Sequence, residues 1–258
     1  MPDPAARWRV AHQASYAALA AAAAGGVRAS FADGAVLATA NPAIPDSVWV
    51  NAVTWTDAAA LIAELPALAR FYAGAGVRAW TVWVPPGTPQ VVRDALAAAG
   101  HAVGSTPELM AAELAGLRLE PGHALDLAPA GDWAGVVACN DAAYELPPAM
   151  SFAHQFRRAD ATAMRPWVAR VVGRPAAALV TLAVDGHCWV GFVASVPAVR
   201  RTGTTTALLR RALADAREAG ATATSLEASR DGRPVYERIG YVALGPLEMW
   251  ERRAPPAP

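Results

Sequence analysis

Between Arg200 and Leu209 the chain reads Arg-Arg-Thr-Gly-Thr-Thr-Thr-Ala-Leu-Leu, a run whose residue types suit it to hold an anion. It follows an apolar run, Trp189 to Val196, with the composition of a strand. It opens a segment in which Leu208, Leu209, Ala212, Leu213 and Ala216 recur at helical spacing. A small, hydroxyl-rich turn between strand and helix leaves several backbone N–H groups without partners, all pointing one way, and the helix dipole adds its positive end. That combination suits a pyrophosphate. Arg200 and Arg201 add fixed positive charge, and Thr202, Thr204, Thr205 and Thr206 add hydroxyl donors. An ordinary helix N-terminus has the same local pattern, so the turn has to be weighed together with the elements on its C-terminal side.

Gly220 ends the helix, a strand comes next over Ala223 to Ser229, and then Arg233-Pro-Val-Tyr-Glu-Arg-Ile-Gly-Tyr241. In this order the segment resembles the GNAT superfamily of acyl-CoA-dependent N-acyltransferases. The family's phosphate loop, Gln/Arg-x-x-Gly-x-Gly/Ala, is met by Arg200, Gly203 and Thr205 except at the last position. Its closing signature, a Tyr on a short helix followed by Gly and an aromatic residue, is matched by Tyr236, Gly240 and Tyr241. The resemblance covers roughly residues 125 to 253. Thr205 departs from the pattern, and its hydroxyl is expected to donate to the pyrophosphate.

The resemblance implies acetyl-CoA as co-substrate, no metal, and transfer of the acetyl group to a primary amine in a ternary complex. It also implies main-chain contacts from Ser195 and Val196 to the pantetheine arm, which would lie in a gap between parallel strands ending at Val196 and Ser229. A backbone N–H near Val196 would donate to the thioester oxygen. Arg200 to Thr206 would hold the pyrophosphate. Tyr236 is the implied general acid, since a phenol with a pKa of about 10 is protonated at neutral pH and can donate to the departing sulfur. Glu227 can serve as base if it faces the site, although side-chain alternation along a strand leaves its direction open. Asp141, Tyr144 and Glu145 are candidates for holding a cationic acceptor. His187 and His154 stand as lesser candidates, and Cys188 as a packing residue. An acyl-CoA sensor without turnover, or an enzyme acting on a peptide or aminoglycoside amine, are the alternatives.

Composition bounds the rest. The 258 residues carry no net charge and no block of one sign, which argues against a nucleic-acid partner. Two isolated cysteines, Cys139 and Cys188, make neither a disulfide framework nor a zinc site and fit a cytoplasmic protein. No apolar run is long enough to span a bilayer. The Ala-rich stretch Ala17 to Ala24 reads as part of a first helix, because His12, Gln13 and Ser15 interrupt it and Ala is only weakly hydrophobic.

The two halves also rhyme. Gly76 ends a helix from about Asp57. The strand Ala79 to Val84, the helix Gln90 to Ala99 and a strand over Leu109 to Leu114 then come in the order of the second half. Trp49 to Trp55 takes the place of Trp189 to Val196. Aligning Gly76 with Gly220 puts Thr56, Ala59 and Leu61 where Arg200, Gly203 and Thr205 stand, and Leu96 where Tyr236 stands. The expectation is an α/β (α+β) chain of two GNAT-like domains, each a mixed, mostly antiparallel sheet flanked by helices. Residues 1–118 form a degenerate copy that serves as scaffold and pocket wall, 123–253 the catalytic copy, and 254–258 a frayed tail. In the second copy, helices are expected after Asp132 and over Ser151 to Thr162, with strands over 167–172, 176–184 and 188–196. Two fused copies favour a monomer over a homodimer.

Overall fold

Aspartates set three of the helix starts. Asp3, Asp57 and Asp132 each accept a backbone N–H from the first turn they precede, from Ala5 at 3.1 Å, Ala60 at 2.7 Å and Gly135 at 2.9 Å. The helices that begin there are α1 (Pro4–Ala22), α2 (Ala58–Gly74) and α4 (Trp133–Tyr144). This computed structural model describes residues 3–254 apart from 121, 123 and 129. Residues 255–258 of the expected tail lie outside the described residues, as does Pro121 of the expected junction.

The first half continues with β1 (Val27–Phe31), β2 (Val36–Ala40), β3 (Ala52–Trp55), β4 (Ala79–Val84), α3 (Gln90–Ala98), β5 (Ala102–Ser105) and β6 (Glu108–Glu113). In the second half β7 (Asp126–Leu127) precedes α4, and β8 (Arg165–Val171), β9 (Arg174–Val184) and β10 (His187–Ser195) follow it. Then come α5 (Thr204–Glu218), β11 (Ala223–Ala228), α6 (Arg233–Ile239), β12 (Val242–Pro246) and β13 (Glu248–Arg253). One sheet runs β1-β2-β3-β4-β13-β5, the other β12-β6-β11-β10-β9-β8-β7. In each, one central pair is parallel, β3 with β4 and β10 with β11, and every other pairing is antiparallel. The two sheets share the same order of elements with the same parallel step.

The sheets do not part where the sequence break suggests. Strand β6 lies between β11 and β12, with Met110 opposite both Leu226 and Ala243. Strand β13 lies between β4 and β5, with Trp250 opposite Val82 and Val103. Each half thus lends its last strand to the other. The sheets thus cross the expected division into 1–118 and 123–253 at 108–113 and 248–253. Packing explains the exchange. Leu109 and Met110 are fully buried in the second sheet, and Arg93 on α3 grips Glu248 through three N–H···O bonds of 2.9–3.1 Å. Helix α1 also belongs to both halves, packing on β2 and β3 and equally on β9 and β10. Its Trp8, Tyr16 and Leu19 share one core with Trp83, Trp133, Phe152 and Met249.

The helix expected over Ser151 to Thr162 is not formed; the segment holds single 3₁₀ turns at Phe152–His154 and Ala159–Ala161. Its polar groups bond elsewhere. Gln155 donates to the Leu19 carbonyl at 2.6 Å and accepts from Asn41 at 3.0 Å, tying the segment to α1 and to the first half. The strand expected from Trp49 starts only at Ala52. Asn51 turns its side chain onto the Asn41 N–H at 2.7 Å and the Ile44 carbonyl at 3.1 Å, and Trp49 is left projecting from the loop.

Candidate active site

Strands β10 and β11 stay in register only from His187–Ala223 to Val190–Leu226 and then separate. At that point β10 bulges. Its ladder with β9 slips between Gly191 and Ala194, Phe192 takes a φ of +53°, and Phe192 and Val193 have no ladder partner on either side. Asn140 of α4 pins the bulge by donating to the Phe192 carbonyl at 3.2 Å. Gly191 is required there, because a Cβ would overlap the Trp189 ring. The parting of two parallel strands agrees with the expected gap. The Val196 N–H, however, is spent on the Ala176 carbonyl at 2.9 Å and cannot be the donor to a thioester oxygen. The unladdered amides sit four and three residues earlier, at Phe192 and Val193. Ser195 is still paired with Ala177 of β9 on one edge and borders the gap on the other.

Beyond Val196 the chain makes a 3₁₀ turn, Pro197–Val199, and reaches α5 through two left-handed residues, Arg201 at φ +65° and Gly203 at φ +87°. The amides of Arg201, Gly203, Thr204, Thr205 and Thr206 make no hydrogen bond among the described residues. A turn with five free N–H groups ahead of a four-turn helix fits a diphosphate. Not every side chain is equally available. Thr202 Oγ1 donates to the Val199 carbonyl at 2.7 Å and pairs with Thr204 Oγ1 at 2.9 Å, so these two hydroxyls brace the turn. Arg200 donates to the Ala143 carbonyl at the end of α4 (3.1 Å), whereas Arg201 stands exposed. The corresponding place in the first half is closed by Asp57, whose carboxylate already caps α2 and would repel an anion.

A cavity of about 370 Å³ opens where the two strands part. Glu227 reaches it from β11, which settles the direction that alternation along the strand left open. Its Oε1 accepts from the indoles of Trp8 at 2.8 Å and Trp189 at 3.3 Å. Burial pushes its carboxyl up to about 7, with the two indole bonds acting in the opposite sense. His12 lies 3.9 Å away, but burial lowers its pKa to about 3, so the imidazole does not offset the carboxylate charge. Tyr236 lines the same cavity from α6, its hydroxyl free of any partner among the described residues. Burial raises its pKa, with Tyr144 and the Glu227 charge adding to the effect, and keeps the phenol protonated. Ser229 is at the rim, where its Oγ accepts from the Gly232 N–H at 3.1 Å and holds the start of α6.

Of the three acceptor candidates, Tyr144 lines the cavity and the two acids do not. Asp141 is consumed internally, accepting from Ser151 Oγ and from the Phe152 N–H at 3.0 Å. Glu145 ends α4 in a left-handed turn, exposed and away from the cavity. Neither His187 nor His154 reaches the cavity: His187 bonds Ser225 Oγ at 2.7 Å, with its pKa lowered to about 4 by burial, and His154 lies near the Pro148 carbonyl. Cys188 is buried, its thiol pushed up to about 12. Among the described residues no group of acids, histidines or cysteines could hold a metal. No helix among them is long and apolar enough to cross a membrane.

Sequence reasoning missed Trp8, His12, Tyr16, Trp49 and Trp83, which bring the first half to the site. Their only trace in the sequence is the spacing Trp8-x-x-x-His12-x-x-x-Tyr16, one helix face. It missed Arg230 too, which borders the cavity with no partner among the described residues.

Residues 131–243 match the family model described as the acetyltransferase (GNAT) domain. No curated protein matches the sequence. Among solved structures, a GCN5-related N-acetyltransferase from Kribbella flavida is similar over 100% of this chain and 98% of its own, at 21% identity and a TM-score of 0.69. A GCN5-related N-acetyltransferase from Sphaerobacter thermophilus is similar over 90% and 82%, at 17% identity and a TM-score of 0.55. A tandem GNAT protein from the clavulanic acid biosynthesis pathway is similar over 76% of this chain and 70% of its own, at 16% identity and a TM-score of 0.52. At these identities the likeness is one of fold.

Proposed function

We propose, from the premise that residues 131–243 are a GNAT acetyltransferase domain, that the chain moves the acetyl group of acetyl-CoA directly to the primary amine of a small molecule. The observation that carries this reading is the meeting of Glu227 and Tyr236 in one cavity, at the mouth of parted parallel strands that lead back to the free amides of Arg201 and of residues 203–206. In this reading the turn holds the diphosphate, and the pantetheine arm runs along the open edge of β10 past Ser195. The bulge at Phe192 and Val193 offers its amides to the thioester oxygen as negative charge grows there. The neutral amine nitrogen, an ammonium having first given its proton to solvent, attacks the thioester carbon, and Glu227 takes the proton that nitrogen loses as the bond forms. The C–S bond breaks, and the leaving thiolate takes the Tyr236 proton. With a pKa of about 7, Glu227 is ionised in a large fraction of molecules at neutral pH and is also basic enough to accept.

The first half acts as scaffold and wall, without a diphosphate site of its own. A monomer in the cytoplasm is the accompanying proposal; the exchanged strands β6 and β13 support it, because each sheet's last pairing is met within one chain. Release of CoA thiol with a panel of primary amines, followed by the mass of the product, tests the reading. Acetylated amine is the expected result. Tight acetyl-CoA binding with no turnover on any amine would instead indicate a sensor.

A further inference from the structure

The mouth of the cavity holds two aromatic rings that the fold leaves uncovered. Among the described residues, the large apolar side chains that stand out in solvent are all aliphatic except Trp49 and Tyr144, which are 50% and 44% exposed. They come from different halves, yet their ring centroids are 5.4 Å apart at 60° and both border the cavity. Their position is built. The Tyr16 hydroxyl donates to the Trp49 carbonyl at 2.9 Å and itself accepts from the Trp83 indole at 2.8 Å, so the loop carrying Trp49 is braced on buried side chains. Two rings meeting in water at the entrance to a cavity mark a surface that a ligand covers.

Below the rim the walls are Trp83, Trp189, Phe152 and Phe192, and among the described residues the only acid of the lining is Glu227. An aminoglycoside or a polyamine brings several ammonium groups, each of which would need an anionic partner once stripped of water, and Arg230 on the same cavity repels a second one. One carboxylate cannot supply them. A single ammonium carried on a short chain from an aromatic ring meets no such obstacle. Faces of indole and phenol attract the cation on entry, and the apolar walls take the ring.

We propose that the acceptor is an aromatic primary amine whose ring is covered by Trp49 and Tyr144 while its nitrogen reaches Glu227. This rests on the acetyl-transfer reading above and narrows it. A volume near 370 Å³, at the small end of ligand pockets, fits one ring system on a short chain.

The test compares 2-phenylethylamine and tryptamine with n-hexylamine, putrescine and glucosamine at fixed acetyl-CoA, reading thiol release. Aromatic amines are expected to exceed hexylamine about tenfold in kcat/KM and the two polar amines by about a hundredfold or more. Trp49→Ala and Tyr144→Ala are expected to lower the aromatic-to-aliphatic ratio of kcat/KM by about tenfold, mainly through KM. Preference for putrescine or glucosamine, or an equal loss on every amine in both variants, overturns the proposal and leaves acetyl transfer standing. Acetyl-CoA binding is measured alongside by calorimetry, and its absence defeats the acetyl-transfer reading itself. If no amine is acetylated, quenching of indole emission by 2-phenylethylamine decides: saturable quenching lost in Trp49→Ala supports the assignment, and no saturation refutes it.

Discussion

Replacing Glu227 by Gln separates a catalytic base from a buried structural carboxylate, because the two roles move stability and rate differently. The amide keeps an oxygen that both indoles can still bond, so the geometry set by Trp8 and Trp189 survives. What disappears is a charge whose burial is costly. The carboxyl rises from 4.5 to about 7 on folding, about 2.5 units, and at about 1.36 kcal/mol per unit this amounts to roughly 3 kcal/mol. Between those two values the folded chain holds the proton that the unfolded chain has lost, so stability falls as pH rises through this window. Above pH 7 the full penalty is present; below 4.5 it is absent. Chemical denaturation is therefore expected to find E227Q more stable than the parent at pH 8 by about 2–3 kcal/mol, and equal to it at pH 4. The rate should move the other way, with kcat lower by about 10²–10⁴ if Glu227 takes the amine proton. In the parent, kcat/KM measured with an arylamine already neutral across the range should rise with pH and level off above about 7. E227Q should lose that limb. A variant that keeps its activity within a few-fold, or a parent whose profile is flat between pH 5 and 8, would refute the reasoning.

Three further changes probe neighbouring parts. Tyr236→Phe removes a hydroxyl that no group among the described residues holds, so stability should change by less than about 0.5 kcal/mol while kcat falls by about 10²-fold or more and acetyl-CoA affinity is kept; calorimetry and steady-state kinetics check both. Gly191→Ala drives a Cβ into the Trp189 ring, and displacement of the indole should weaken its bond to Glu227 and move the pH limb of kcat/KM upward. Arg93→Ala leaves Glu248 without its half-buried partner on the exchanged strand β13, and should cost about 1–3 kcal/mol in urea unfolding without a matching loss in kcat.

Much of the local structure was legible along the chain because it is local. Asp57 and Asp132 start helices where they stand, Asp185-Gly186 turns β9 into β10, and the run from Arg201 to Thr206 leaves all its amides but that of Thr202 free. Two departures had causes outside their own segments. The segment after Ser151 gave up its helix for bonds to α1 and Asn41, and the strand after Trp49 began late because Asn51 bonds Asn41 and Ile44.

The order of residues alone carried the glycine-bearing turn with its free amides ahead of α5, the matching order of elements in the two halves, and an aspartate cap where the first half would have such a turn. Each of these depends on neighbours within a few positions: glycine where φ must be positive, an aspartate where an anion would otherwise sit. Only tertiary structure decided the rest. It turned Glu227 inward and set two indoles, 219 and 38 positions away, on one of its oxygens, raising its pKa by burial. It also spent Asp141 and the Val196 amide on internal bonds, and exchanged β6 and β13 between the sheets. Burial and cross-sheet pairing are properties of surroundings, and the surroundings of Glu227 are assembled from both halves of the chain.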